Sequence, residues 1–175
     1  MRILTLLALL ATSLAAQPAI HYDVRFPAPH THYLEVTATV PVHGPQAELF
    51  IAVWTPGSYL AREYSRFVED FHALGAQGQE LAWEKTTKNR WKVSGIQGST
   101  LQIRYKVYAR EMNVQGNWVD AGFAMLNGAP NFITLAGGEK RPYEVQLHLA
   151  DGWTKSISGM KNGPPDHRHR EDDTP

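Results

Sequence analysis

Cysteine is absent from the 175-residue chain. Its absence excludes disulfide bonds, thiolate metal sites, a cysteine nucleophile and a lipoprotein anchor, which needs a cysteine where the precursor is cleaved. The fold must therefore be held together by its hydrophobic core.

An excess of charge of either sign is also absent, because 17 Lys and Arg residues balance 17 Asp and Glu residues. Proteins that bind nucleic acid usually present a strongly basic face to the phosphates, and zero formal charge gives no indication of one. We therefore expect no nucleic-acid partner.

Long apolar runs are absent except for Ile3–Ala11 near the N-terminus. This run follows Arg2 and precedes the small residues Ala15 and Ala16, which is the arrangement of a secretory signal peptide. A transmembrane helix needs about 20 apolar residues, roughly twice this length. We predict a signal peptide over residues 1–16, export to the periplasm or medium, and no membrane span in the remaining chain.

Alternation of apolar and polar residues is the main secondary-structure signal. Apolar residues recur at every second position in Ile20–Phe26, Leu34–Val42, Leu101–Ala109 and Tyr143–Leu149, which is typical of strands buried on one face. The segment Ala47–Trp54 reads as apolar on both faces and is predicted to be a central, covered strand.

Glycine-rich turns separate the remaining strands. Phe67–Leu74 fits either a strand or a helix, but Gly75 and Gly78 after it favour a strand followed by a turn. No segment predicts a convincing helix. The sequence therefore predicts an all-β fold, an antiparallel β-sandwich or curved, saddle-like sheet, as a single domain over residues 17–153, with a disordered or truncated tail over residues 154–175.

The stretch VWTPGSYLAREYSR, residues 53–66, is the most distinctive motif. A hydrolase nucleophile elbow needs glycine two residues before and after the serine, whereas Ser58 has Pro56 and Leu60 there. Pro56 fixes φ near −65° and Gly57 can adopt positive φ, so we predict a structural type II turn.

Charged and aromatic residues follow that turn. Clustered charge beside aromatic rings marks either a solvated rim or a docking surface. The members of this candidate interdomain or peptide-cleft surface are Tyr59, Arg62, Glu63 and Arg66.

Four stretches carry a family resemblance: the motif above and HYDVRFPAPHTHYLEV, LAWEKTTKNRWKV and LQIRYKVYAREMNV, which begin at His21, Leu81 and Leu101. Together they resemble the N-terminal domain of the glycyl aminopeptidases, peptidase family M61. Members of this family have such a β-rich domain first, then a thermolysin-like zinc catalytic domain and commonly a PDZ domain. The resemblance implies a zinc peptidase catalytic domain as partner, in cis or in trans, and a peptide as a further candidate partner.

The catalytic motif of that family is missing from this sequence. HExxH places two zinc-binding histidines one helical turn apart, yet no glutamate follows any of the eight histidines. The resemblance therefore implies no catalytic residue, metal ligand or cofactor in this chain, and zinc only in a separate catalytic domain. It implies a noncatalytic accessory domain, present as a fragment or standalone relic, that packs on that domain and helps shape the peptide cleft.

Two other functions compete with this interpretation. A metal-dependent hydrolase could use His30, His32 and His43, if the first two lie on one face of an extended segment, or carboxylates at Glu63, Glu111 and Asp120. An independent glycan- or peptide-binding sandwich could use exposed aromatic rings, although such rings more often fill cores. The aromatic candidates are Trp54, Tyr59, Trp83, Trp91 and Trp118.

The signal-peptide prediction can be tested directly. We expect the mature protein to begin at Ala16 or Gln17, because the small residues there form the cleavage boundary. N-terminal sequencing of protein recovered outside the cytoplasm gives the answer. An intact Met1 on exported protein would contradict the prediction.

Overall fold

The computed structural model of the protein describes residues 17–137 and 141–161. The predicted signal peptide over residues 1–16 and the predicted tail from residue 162 onward lie outside the described residues. Residues 154–161 of that tail are exposed and belong to no strand or helix. Within the described ranges, no helix has the length and apolar character needed to cross a membrane.

Short strands connected by turns form the described part of the chain, which contains no α-helix, as predicted. The strands are β1 (Ile20–Arg25), β2 (Tyr33–Pro41), β3 (Gln46–Phe50), β4 (Val68–Leu74), β5 (Trp83–Thr87), β6 (Arg90–Ser94), β7 (Thr100–Tyr108), β8 (Trp118–Val119), β9 (Ala124–Met125), β10 (Thr134–Leu135) and β11 (Tyr143–His148). Two short 3-10 helices cover Pro29–Thr31 and Tyr64–Phe67.

The strands are arranged in two main sheets and a small hairpin. One sheet has the order β11-β1-β2-β7-β4, the other has the order β10-β3-β6-β5, and β8 pairs with β9. Inward side chains of both main sheets belong to one hydrophobic cluster. The predicted all-β, single-domain fold is therefore confirmed.

One strand pair departs from the antiparallel prediction. β11 lies parallel to β1, with Tyr143 beside Ile20 and His148 beside Arg25. β11 follows β10, which belongs to the other sheet, so the chain crosses to the far edge of the larger sheet before it pairs. Alternation in the sequence predicts that a segment is a strand but does not specify the direction of its partner.

Aromatic stacking joins the two sheets. Phe71 of β4 lies against Trp91 of β6 with 5.4 Å between ring centroids and 19° between ring planes. The Phe71 ring also meets Trp83 edge-on at 4.9 Å. Offset stacking and edge-to-face contact are both favourable aromatic geometries, so this cluster stabilises the contact between the sheets.

A β-bulge explains why the segment before Gly75 fits two periods. The pairing of β4 with β7 shifts between Glu69 and His72, and Asp70 adopts a positive φ of 54°. The extra residue leaves both Glu69 and Asp70 exposed and turns Phe71 towards the core, whereas strict alternation from Glu69 would point Phe71 outward. The strand prediction is correct, and the broken alternation records the bulge.

The prediction of a covered central strand over Ala47–Trp54 is wrong in two respects. β3 ends at Phe50, and one of its faces is exposed, because Glu48 points outward and binds Arg90 with a 2.9 Å ion pair. After the buried Ile51 the chain leaves the sheet, and Trp54 lies in a loop with 53% of its surface exposed. The acidic residue within the apolar run is the signal that one face meets water.

Two buried tyrosine hydroxyls fix the segment that leads into β10. Tyr105 donates to the carbonyl of Asn131 at 2.7 Å and accepts from the amide of Ile133 at 3.1 Å. Tyr22 donates to the carbonyl of Ile133 at 2.9 Å. Burial raises the pKa of both hydroxyls, so they remain neutral donors.

Removal of one hydroxyl tests this arrangement. Tyr105→Phe should lower the free energy of unfolding by about 1–3 kcal/mol, because it leaves buried backbone groups without partners. Tyr33→Phe is the control: its hydroxyl binds the exposed Glu69, and the expected change is within about 0.5 kcal/mol. Equal stability losses in denaturant unfolding would contradict the prediction.

Candidate functional site

The predicted turn at Pro56 and Gly57 is present. The amide of Ser58 donates to the carbonyl of Thr55 at 3.1 Å, which closes the four-residue turn. Gly57 has φ +86°, the value that the third residue of a type II turn requires. The motif is thus a structural turn, and Ser58 is part of it.

A second set of hydrogen bonds closes the whole segment from Val53 to Arg62, which we call the first loop. The amide of Arg62 donates to the carbonyl of Val53 at 2.6 Å. The indole nitrogen of Trp54 donates to the carbonyl of Ser58 at 2.6 Å. The loop is therefore held by its own bonds and leaves Tyr59 fully exposed at its tip.

A neighbouring segment, residues 110–117, forms what we call the second loop. The amide of Glu111 donates to the carbonyl of Asn117 at 2.7 Å, and Gly116 donates to the carbonyl of Asn113 at 3.2 Å. A Cβ on Gly116 would lie 2.6 Å from the carbonyl oxygen of Glu111, so only glycine fits this close approach.

Two side-chain contacts tie the loops together. Arg62 donates from Nη2 to Oε1 of Gln115. Arg66, just beyond the first loop, binds Glu111 of the second with a 2.8 Å ion pair. These contacts span about fifty residues of sequence and hold the two loops at the same end of the sandwich.

Large apolar side chains are exposed on both tied loops. We call this set of exposed apolar side chains the two-loop rim. Its members are Val53, Trp54, Tyr59, Leu60, Met112 and Val114. Val114 is 90% exposed and Leu60 59%. Scattered exposed apolar residues are normal in soluble proteins, but a group of this kind on preorganised loops is typical of an interaction surface.

Buried asparagines support the second loop from below. The side-chain amides of Asn117 and Asn131 bind each other reciprocally at 2.8 and 3.0 Å. Asn127 extends this network to the rim by donating to the carbonyl of Val114 at 2.9 Å. Because the amides of Asn117 and Asn131 are buried and hydrogen-bonded, this network fixes the loop that presents the rim.

A shallow depression of about 320 Å³ lies next to the rim; it is lined by Glu63, Ser65, Arg66, Lys85 and Lys88. Glu63 is ion-paired, as expected of a surface carboxylate, and its partner is Lys88 at 2.7 Å. The hydrogen bond from Lys88 lowers the pKa of Glu63. Glu63 is thus ionised at neutral pH and is a poor general acid.

The three candidate carboxylates have separate structural partners. Glu63 binds Lys88 and Glu111 binds Arg66. Asp120 accepts from the Trp118 indole at 2.9 Å and from two backbone amides of the turn that follows, bonds that lower its pKa. The structure therefore gives these residues roles in tying loops and capping a turn.

The histidine segment is not extended, contrary to the geometry that a shared-face metal site needs. Residues 29–31 form a 3-10 helix and His32 adopts the left-handed conformation with φ 64°. The His32 ring contacts the carbonyl oxygen of Val119 through Nδ1. Over residues 17–137 and 141–161, no three His, Cys, Asp or Glu side chains are grouped so that they could hold a metal ion.

The tryptophans do not form one ligand groove. Trp91 is buried in the core. Trp54 follows the end of β3, where Phe50 pairs with Arg90, whereas Trp83 pairs with Val93 at the opposite end of β6. The exposed rings of Trp54 and Trp83 thus lie at opposite ends of the smaller sheet.

Comparison with known proteins identifies the family. The model of the Peptidase M61 N-terminal domain matches residues 21–171. The chain belongs to this family. No curated protein sequence matches it.

The chain is also similar to parts of solved structures. The chain is similar to an aminopeptidase N family protein from Idiomarina loihiensis, with 29% identity, a TM-score of 0.69 and coverage of 74% of this chain. It spans only 22% of that protein's length. An M1 zinc metallopeptidase from Deinococcus radiodurans is more distant, with 17% identity, a TM-score of 0.40, and coverage of 75% of this chain and 31% of its own.

Sequence reasoning pointed to only one of the two loops in this M61 N-terminal domain. It singled out Tyr59, Arg62, Glu63 and Arg66 on or beside the first loop but missed the second loop. The available signal was Met112 and Val114, two apolar residues within a polar, glycine-containing segment. Nothing local to either segment indicates that the two loops meet.

Substitution of the turn glycine tests whether the first loop is preorganised. Gly57→Ala should lower the free energy of unfolding by roughly 1 kcal/mol or more, because alanine is strained at positive φ. Gly159→Ala is the matched control, since Gly159 has open space and an ordinary φ, and it should have little effect. Thermal denaturation that fails to distinguish the two variants would rule out a strained turn.

Proposed function

We propose that this chain is the noncatalytic N-terminal accessory domain of an exported zinc metallo-aminopeptidase of the glycyl aminopeptidase type. In that role it packs on a zinc peptidase catalytic domain, in cis or in trans, and helps shape the cleft that receives a peptide's amino terminus. The observation that carries the proposal is the two-loop rim on an M61 N-terminal domain.

The preorganisation of the rim supports docking. Trp54 and Tyr59 stay exposed on a loop that its own hydrogen bonds already hold in place. A surface that is rigid before binding loses little conformational entropy when a partner covers it. Aromatic side chains beside arginine are also the residues enriched at the centre of protein interfaces.

Zinc belongs, in this proposal, to the partner domain. A zinc site of the family needs two histidines one helical turn apart and an acidic third ligand. The described histidines do not fit this pattern, since His32 binds a backbone carbonyl and His72 and His148 contact carboxylates of neighbouring strand residues. The side chains present here therefore serve positioning, and no step of peptide hydrolysis is assigned to them.

Export forms the remaining part of the proposal. It is supported by the apolar run and small-residue boundary before Gln17, and by the absence of cysteine, which lets the domain fold without regard to the redox state of its compartment.

Removal of side chains on the rim and directly beside it distinguishes docking from core packing. Tyr59→Ala, Arg62→Ala and Arg66→Ala should each change the stability of this chain by only about 0–1 kcal/mol, because Tyr59 is exposed, Arg66 makes a surface ion pair, and Arg62 is only partly buried. Trp91→Ala, a buried control, should cost about 3–5 kcal/mol. In a chimera with this chain as the N-terminal domain of a complete family member, the same rim changes should weaken domain packing or peptide turnover.

Thermal denaturation of the isolated variants and peptide turnover by the chimeras supply the two measurements. Rim variants that unfold the isolated chain as severely as Trp91→Ala does would show that the loops belong to the core. Rim variants that leave the chimera unchanged would contradict docking.

The accessory role also predicts the chemistry of the purified chain. It should release no amino acid from peptide substrates and should retain no stoichiometric zinc after mild chelation. Zinc-dependent release of N-terminal glycine by this chain alone would overturn the proposal.

A further inference from the structure

Arg62 lies beside the two-loop rim and, within the described residues, forms no salt bridge, unlike its neighbours Arg66 and Lys88. Lys88 binds Glu63 and Arg66 binds Glu111. Among the salt bridges formed by residues 17–137 and 141–161, none involves Arg62. In the described part of the chain, its one side-chain partner is the neutral amide of Gln115.

The burial of Arg62 makes this lack of a counterion significant. Its side chain is partly buried, and Nε is shielded from solvent without an acceptor among the described atoms. Arg110, by contrast, is exposed, so water can solvate its charge. A guanidinium that is removed from water and left without a carboxylate is destabilised until a partner supplies one.

The surroundings of Arg62 define what that partner looks like. Arg62 ends the first loop, which exposes its aromatic rings, and its partner Gln115 belongs to the second loop, which exposes Met112 and Val114. Interfaces often place an arginine within an apolar ring that excludes water and so strengthens its charged hydrogen bonds.

We propose that Arg62 is the charged anchor of the rim and binds an Asp or Glu side chain on an apolar surface of the docking partner. This inference rests on the proposed docking function and adds the chemistry of the surface that docks. The carboxylate accepts from the guanidinium, while Trp54, Tyr59 and Val114 cover the apolar residues around it.

A pair of short peptides tests the role of the carboxylate on the whole chain. Acetyl-Leu-Asp-Phe-amide carries a single carboxylate between apolar side chains, and acetyl-Leu-Asn-Phe-amide is its neutral match. NMR titration follows the Nε–H signal of Arg62 and the amides of Trp54 and Val114. We expect saturable shifts at the rim, with the Asp peptide binding at least about threefold more tightly than the Asn peptide.

Two variants connect that preference to Arg62. Arg62→Gln should abolish the preference for the Asp peptide, whereas Arg104→Gln, on the exposed outer face of β7, should leave it intact. The backbone amide spectrum establishes that each variant is folded.

Three outcomes would overturn the proposal. They are equal binding of both peptides at the rim, a preference for Asp that survives Arg62→Gln, and no shift at the rim with either peptide. The first two leave docking through apolar contacts standing. After the third outcome, peptide turnover by the Tyr59→Ala chimera tests docking separately. Failure of the Arg62 anchor and failure of the docking function therefore remain distinguishable.

Discussion

Packing between the two sheets is the constraint on which the rest of the structure depends. Without disulfides, the sandwich is held by the apolar faces that meet between the sheets, with Phe71 and Trp91 stacked across the contact. The bulge at Asp70 is what directs Phe71 into that contact. Once the sheets are joined in this way, the loops that leave β3 and β7 emerge at the same end of the sandwich.

Polar contacts then hold those two loops in a fixed arrangement, so that together they form a defined surface. The hydroxyls of Tyr22 and Tyr105 hold the segment before β10, and the paired amides of Asn117 and Asn131 hold the second loop above it. Because these buried groups satisfy one another, the core can support polar segments at its end. The rim can therefore expose apolar side chains on loops that hydrogen bonds hold in place, which suits the proposed docking role.

The sequence was informative wherever a local rule decides the structure. Pro56 and Gly57 specify a type II turn by their own φ preferences, and alternation located most strands. The sequence was less informative where contacts with a distant segment of the chain determine the local structure. The apolar run predicts Trp54 at the end of a covered strand, yet its indole nitrogen is hydrogen-bonded to the carbonyl of Ser58 within an exposed loop. The contact of Arg62 with Gln115 and the parallel pairing of β11 with β1 join distant segments, and no local pattern encodes them.

Hydrogen exchange tests the central claim, that the tied loops are the surface through which this M61 N-terminal domain docks. The comparison is between the isolated chain and a chimera in which it precedes the catalytic domain of a complete family member. The account predicts slower exchange in residues 53–62 and 110–117 of the chimera, with no change in β7 of the five-stranded sheet. Unchanged exchange in both loops, with protection elsewhere on the sandwich, would contradict it.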